Sequence, residues 1–227
     1  MTALQELLHT YRQAAVTERE KGTYFEELMM RYFAFEPMYK DKYAEVWLWE
    51  AFKQHRIQHG FDDIGTDAGI DLVAKTRDTN EYCAIQCKFY AQDYSVKKSD
   101  IDSFFTASGN KLFSHRIIVS TTNHWSEHAE AALSNQHIPV IKLDLNALEE
   151  SVIDWSQYQP KQDVILKPKK QLRDHQKTAL NAVEQGFATA ERGKLIMACG
   201  TGKTFTSLKI AEKLAGKGKR VLFLVPS

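Results

Sequence analysis

Asp71, Gln86 and Lys88 carry the first chemistry legible in this sequence. Two strand-like runs, Ile70-Asp71-Leu72-Val73-Ala74 and residues 82–89, flank the turn signal Arg77-Asp78-Thr79-Asn80. A hairpin turning at residues 78–80 sets opposite each other residues whose numbers sum to about 157–158. Asp71 then falls opposite Gln86 or Cys87. Side chains alternate along a strand, so Gln86 and Lys88 share one face while Cys87 points away. A carboxylate, an amide oxygen and an ammonium gathered in this way suit phosphodiester hydrolysis. Asp71 and the Gln86 oxygen offer hard ligands to Mg²⁺. Lys88 can orient or help deprotonate the attacking water and offset phosphate charge. Glu26, on an earlier helix, adds a second metal-binding carboxylate if that helix packs against the hairpin.

A second constellation is the run Ala198-Cys199-Gly200-Thr201-Gly202-Lys203-Thr204. A strand turning sharply into a helix points several backbone N–H groups and a positive helix end at one place. Gly200 and Gly202 let the backbone curl around phosphates without side-chain clash. Lys203 reaches toward β- and γ-phosphates, and the Thr204 hydroxyl toward the magnesium of ATP. Upstream, Arg173 and Gln176 lie three apart on one helix face.

The elements that must hold these residues follow from periodicity. Residues 3–20 read as one polar helix. A second helix begins near Thr23, with Thr23 as N-cap and Glu26 completing a capping box, and Pro37 ends it. Residues 41–52 carry an aromatic helical pattern through Tyr43, Val46, Trp47 and Trp49. Beyond the hairpin, the order is a helix over 98–108, a strand over 116–120, a helix over 126–136 and a strand over 139–143. Strands separated by helices predict an α/β domain with a mixed sheet. The predicted boundaries are a domain over 1–156, a linker over 157–170 and a second domain from 171. That second part reads helix, strand over 194–197, phosphate loop, helix and strand over 221–225, one βαβ unit.

Charge divides at the same place. Residues 1–160 hold 16 Lys/Arg against 24 Asp/Glu, and residues 161–227 hold 14 against 5. The basic end fits a polyanion such as nucleotide or nucleic acid. Contact of the acidic front with DNA is expected to be local, through Lys88, Lys97 and Lys98, or screened by bound metal cations. The longest apolar runs are too short to cross a bilayer, and no apolar leader follows Met1. Cys83, Cys87 and Cys199 show no zinc spacing, so the expectation is a reduced, cytoplasmic protein without structural metal. His55 and His59 stand four apart but lack a third ligand. The Ser120-Thr121-Thr122-Asn123 run has hydroxyls for a phosphate backbone, and equally reads as a turn before an N-cap at Ser126.

Gly22-Thr23-Tyr24-Phe25-Glu26, Gly69-Ile70-Asp71 and Gln86-Cys87-Lys88 resemble the signature segments of Mrr-type nucleases, a branch of the PD-(D/E)xK superfamily. The resemblance covers most of residues 20–145. It implies a restriction-endonuclease-like fold and Mg²⁺-dependent cleavage of double-stranded DNA by Asp71, Gln86, Lys88 and Glu26. Gln86 stands where most of the superfamily has Glu or Asp, which removes one ligand charge. Residues 165–227 resemble superfamily-2 helicases, which begin this loop without the usual leading glycine. That resemblance implies a RecA-like ATPase in which Arg173 and Gln176 read adenine. The same resemblance has Gly200, Thr201, Gly202, Lys203 and Thr204 hold ATP-Mg. The acidic water-activating element and the second lobe are expected beyond residue 227, so the chain is expected to be an N-terminal portion. A nuclease before such a motor resembles the type ISP restriction enzymes. Their order implies methyltransferase and target-recognition parts downstream. The other reading is a non-catalytic DNA-binding front domain of a repair or housekeeping helicase.

Overall fold

The computed structural model describes residues 1–227 except 63, 65–68, 161, 169, 199, 217, 218 and 225–227. It divides into two compact units, Met1–Lys167 and Pro168–Ser227.

The first unit is built on a five-stranded sheet. Its strands are β1 (Tyr43–Leu48), β2 (Leu72–Thr76), β3 (Tyr82–Lys88), β5 (Phe113–Ser120) and β7 (Val140–Leu143), in the order β1-β2-β3-β5-β7. β1, β2 and β3 run antiparallel, whereas β3, β5 and β7 are parallel. Two-residue strands β4 (Ser95–Val96) and β6 (His124–Trp125) form a small parallel pair beside it. The sheet is buried on both faces, which explains why its central strands read as nearly continuous apolar runs. Leu72, Ala74, Cys83, Ile85, Ile117 and Val119 pack with Leu4 and Leu8 of α1 (Ala3–Ala14) and with Phe25, Leu28 and Met29 of α2 (Glu18–Phe35). The opposite face places Val73, Ala84 and Ile118 against Phe52 of α4 (Trp49–Gln58), Phe104 of α5 (Asp102–Ala107) and Ala129 of α6 (Glu127–Ser134).

Four expectations change. The polar helix of residues 3–20 breaks after Ala14, and Thr17 caps α2, bonded to the Glu20 N–H at 3.1 Å with Glu20 completing the capping box. Thr23 therefore lies inside α2, its hydroxyl turned back to the Arg19 carbonyl at 3.1 Å, and Glu26 has no capping role. Residues 43–48 form a strand, not a helix. The short helix α3 (Pro37–Lys42) leads into edge strand β1, where Val46 pairs with Ala74 and Trp47 with Val73. Aromatic and β-branched residues suit a pleated surface, and six residues cannot separate the two periods. The helix expected over 98–108 is a single 3-10 turn, Lys98–Asp100, followed by α5.

Part of the expected linker belongs to the first unit. After α7 (Leu145–Glu149), the backbone of Asp154 donates to Ile165 at 2.8 Å and that of Lys167 to Val152 at 2.7 Å, around the bridge Ile153–Leu166.

The second unit contains α8 (Asp174–Phe187) and α9 (Lys203–Ala215). The described residues of 194–197 and 221–224 form no strand pairing. A parallel pair gains little without flanking strands, so these two segments, adjacent in a βαβ unit, do not pair by themselves.

Candidate functional site

The hairpin closes in the 157 register, with Leu72 opposite Ile85 and Val73 opposite Ala84. Asp71, one residue before β2, continues that register toward Gln86: its N–H donates to the Ile85 carbonyl at 3.0 Å. Its carboxylate oxygen Oδ2 accepts the Cys87 N–H at 2.6 Å, so Asp71 is locked to the backbone between Gln86 and Lys88. Gln86 is 2% exposed. Its amide nitrogen donates to the Gly69 carbonyl at 2.9 Å, while its oxygen Oε1 is buried without a hydrogen-bond partner among the described residues. An orphaned buried acceptor costs about 1–3 kcal/mol, an arrangement that a bound cation or donor would relieve.

Gly69 makes that placement possible. Its φ of +104° is unfavourable for residues with a side chain. A Cβ there would stand 3.0 Å from Ser103 Oγ, 3.2 Å from Gln86 Nε2 and 3.4 Å from the Phe104 backbone nitrogen. Gly69→Ala is therefore expected to cost about 1–3 kcal/mol and to displace the Gln86 amide. Thermal denaturation checks this; a midpoint equal to wild type rejects it.

Glu26 lies on α2, which packs on β3, with the neighbouring Phe25 stacked on Phe89 at 5.4 Å. The Cys87 thiol is pushed well above its ordinary range by burial, then by the negative charges of Asp71 and Glu26, with Lys88 opposing. Lys88 is itself pulled below the ordinary lysine range by burial, against the support of Asp71 and Asp100. Asp100 is a residue that local sequence patterns did not reveal. It accepts the Tyr94 hydroxyl at 2.9 Å and the Lys97 N–H at 2.8 Å, and the Tyr94 ring lies tilted against Tyr90 with centroids 4.3 Å apart. Its only sequence signal was a carboxylate twelve residues past Lys88, which no strand or helix period connects to it. Of the lysines expected near DNA, Lys98 is paired with Asp102 at 2.9 Å.

The donor set is all oxygen, a carboxylate pair with one amide, and it suits a hard divalent ion. No group of three His, Cys, Asp or Glu side chains able to hold a metal occurs among the described residues. His55 and His59 lie against each other as tilted rings, centroids 4.2 Å apart, beside Trp47 and take no part. Ser120, Thr121 and Thr122 are fully buried and serve the loop after β3: Thr121 accepts the Tyr90 N–H at 2.9 Å and donates to the Tyr90 carbonyl at 2.7 Å.

In the second unit Gly200 and Gly202 have φ of +75° and +80°, and Gly202 is the N-cap of α9. Gln176 is buried and holds the loop: its nitrogen donates to the Thr201 carbonyl at 2.9 Å and its oxygen accepts the Arg173 N–H at 2.9 Å. Lys203 donates to the Ala198 carbonyl at 3.2 Å, and Thr204 is exposed on the first turn of α9. Cys199 lies outside the described residues.

A mixed sheet between two helical layers, with an acid, an amide and a lysine joined across its central hairpin, defines the restriction-endonuclease-like class. The restriction endonuclease family model Mrr_cat_2 matches residues 34–165, and the chain belongs to that family. The type III restriction enzyme res-subunit model, ResIII, matches residues 169–227. The solved ATP-dependent Type ISP restriction-modification enzyme LlaBIII bound to DNA is similar, with a TM-score of 0.69 and 36% identity. That likeness covers 91% of this chain and 13% of that one, so the chain spans a small part of that enzyme's length. The MspJI restriction endonuclease in complex with a 27-mer oligonucleotide shows 16% identity and a TM-score of 0.39 over 64% of this chain and 29% of that one. Comparison with curated proteins gives no match.

Proposed function

We propose that this chain is part of an ATP-dependent DNA restriction enzyme, with a metal-dependent endonuclease in residues 1–156 and an ATP-binding motor segment from residue 171. The observation that carries the nuclease reading is the Asp71–Cys87 bond beside the orphaned Gln86 oxygen, with Lys88 on the same strand. Asp71, Gln86 and Glu26 would hold Mg²⁺, which supplies Lewis-acid polarisation and a more acidic water when bound. Asp71 is oriented by its backbone bond, Gln86 by Gly69, and both sit where a scissile phosphate meets Lys88. Lys88 then either takes a proton from the attacking water at Nζ or places positive charge against the developing oxyanion. Arg173, Gln176, Gly200, Thr201, Gly202, Lys203 and Thr204 would hold ATP, with Thr204 on its magnesium. The matches to two restriction-enzyme family models support this reading over a DNA-loading domain of a repair helicase.

Plasmid cleavage by the full-length protein with Mg²⁺ tests it: Lys88→Ala should reduce nicking by about 10²-fold or more, and equal nicking would sink the assignment. The pH profile separates the two roles of Lys88. Burial favours its neutral form, so as a base Lys88 gives a rate that rises with pH and levels off below 10.5, its ordinary value. Asp100→Asn removes one of the charges that support the ammonium and should move that plateau to lower pH. Superimposable profiles for wild type and Asp100→Asn would exclude Lys88 as the base.

A further inference from the structure

The three parallel strands β3, β5 and β7 end at one edge of the sheet, and the segments leaving them form a polar cavity there. It has a volume of about 290 Å³ and is roofed by α1. Its polar lining is Gln5, His9 and Arg12 from α1, Gln92 from the segment after β3 and Thr121 just past the end of β5. Ligands of open sheets with parallel strands collect at this carboxyl edge. Thr121 ties the cavity to the candidate active site, because its N–H donates to the Lys88 carbonyl at 3.1 Å.

Arg12 gives the cavity its sign. One guanidinium nitrogen donates to the Tyr90 carbonyl at 2.7 Å, and the group lies over the Phe89 ring at 4.7 Å. Neither contact neutralises it, and most of its five N–H donors are left for another acceptor. His9 is set beside it, its Nε2 lying 2.9 Å from the Gln13 amide nitrogen. No Asp or Glu lines the cavity among the described residues, and Glu149 nearby already accepts from Gln5 and Thr2, each at 2.8 Å. The chemistry is that of an anion site, in contrast to the carboxylates of the metal cluster.

We propose that this cavity seats a backbone phosphate of the DNA strand being cut, with Arg12 as its cationic anchor. The proposal rests on the nuclease reading above. Tyr90, whose carbonyl Arg12 holds, lies two residues past Lys88, the last residue of β3, a backbone reach of at most about 7 Å. That distance matches a phosphate one or two nucleotides away, since each nucleotide of a duplex strand rises about 3.4 Å. Arg12 thereby sets where the neighbouring backbone lies when the scissile phosphate meets Asp71 and Lys88. It contacts no reacting atom.

The test is binding of the full-length protein to a linear duplex over a series of salt concentrations without Mg²⁺. Arg12→Met keeps the apolar stem on Phe89. It should weaken binding several-fold and reduce the slope of log K against log salt by about 1, one phosphate contact. Arg12→Lys should restore most of the slope. Gln92→Glu, a change at an exposed position, adds repulsion to the cavity without touching the core and should weaken binding in the same sense. Affinity and slope equal to wild type in both Arg12→Met and Gln92→Glu would overturn the proposal. So would a rise in the melting temperature with millimolar inorganic phosphate that depends on Arg12 while the DNA slope does not, because that result assigns the cavity to a free anion. Normal cleavage by Asp71→Asn would instead remove the nuclease reading, whereas loss of cleavage there with unaltered slopes for Arg12→Met removes the phosphate site alone.

Discussion

Asp71→Asn is expected to abolish DNA cleavage by the full-length protein, lowering the rate by at least about 10²–10³-fold, while DNA binding without metal should stay near wild type. The loss follows from charge. The amide oxygen of the introduced asparagine could still accept the Cys87 N–H now bound by Oδ2 at 2.6 Å, so the loop keeps its shape and only the anionic ligand disappears. With Gln86 already neutral, that ligand is one of only two carboxylates, beside Glu26, that the hairpin and α2 bring to the cluster among the described residues. Asp71→Ala should be equally inactive but also less stable by about 1–3 kcal/mol, since it strands the Cys87 N–H. Plasmid nicking paired with thermal denaturation separates the two effects. Cleavage by Asp71→Asn within tenfold of wild type would remove Asp71 from the site.

The second large effect belongs to the phosphate loop. Lys203→Ala should reduce DNA-stimulated ATP hydrolysis by the full-length protein by at least about 10²-fold. Its ammonium lies against the Ala198 carbonyl, 3.2 Å away, on the loop that the glycines curl for phosphates. That single exposed bond contributes little to folding, so the melting temperature should hardly move. Gly202→Ala provides the structural contrast. A Cβ at Gly202 would fall 2.5 Å from Gln176 Nε2, and φ of +80° strains any residue but glycine. Because Gln176 is buried and bonded at both ends of its amide, it cannot step aside cheaply. This variant should lose both hydrolysis and stability. Retained ATPase in Lys203→Ala would refute the assigned role of the loop.

Local chemistry made much of this legible. The hairpin register follows from the turn at residues 77–80, because two strands joined by a short turn have little freedom to slip. The phosphate loop is equally local, since its glycines, lysine and following helix are consecutive. Boundaries were less certain wherever a neighbour competed. Thr17 and Thr23 both begin capping-box patterns, and the cap went to Thr17 because the helix starts about two turns before Phe25, the first buried residue of its apolar stripe. Residues 43–48 fit either period, and pairing with β2 decided for a strand.

By itself the sequence determined which candidate residues share a neighbourhood, Asp71, Gln86 and Lys88 on one hairpin and Lys203 on one loop, because each set is contiguous or joined by a single turn. Tertiary structure alone decided what surrounds them. It brought Glu26 from α2 and Asp100 from the turn before α5 to the same lysine–cysteine pair, left the Gln86 oxygen buried and orphaned among the described residues, and placed Arg12 at the carboxyl edge of the parallel strands. These residues are separated by tens of positions, and burial, packing and charge join them only once the sheet has closed between its helices.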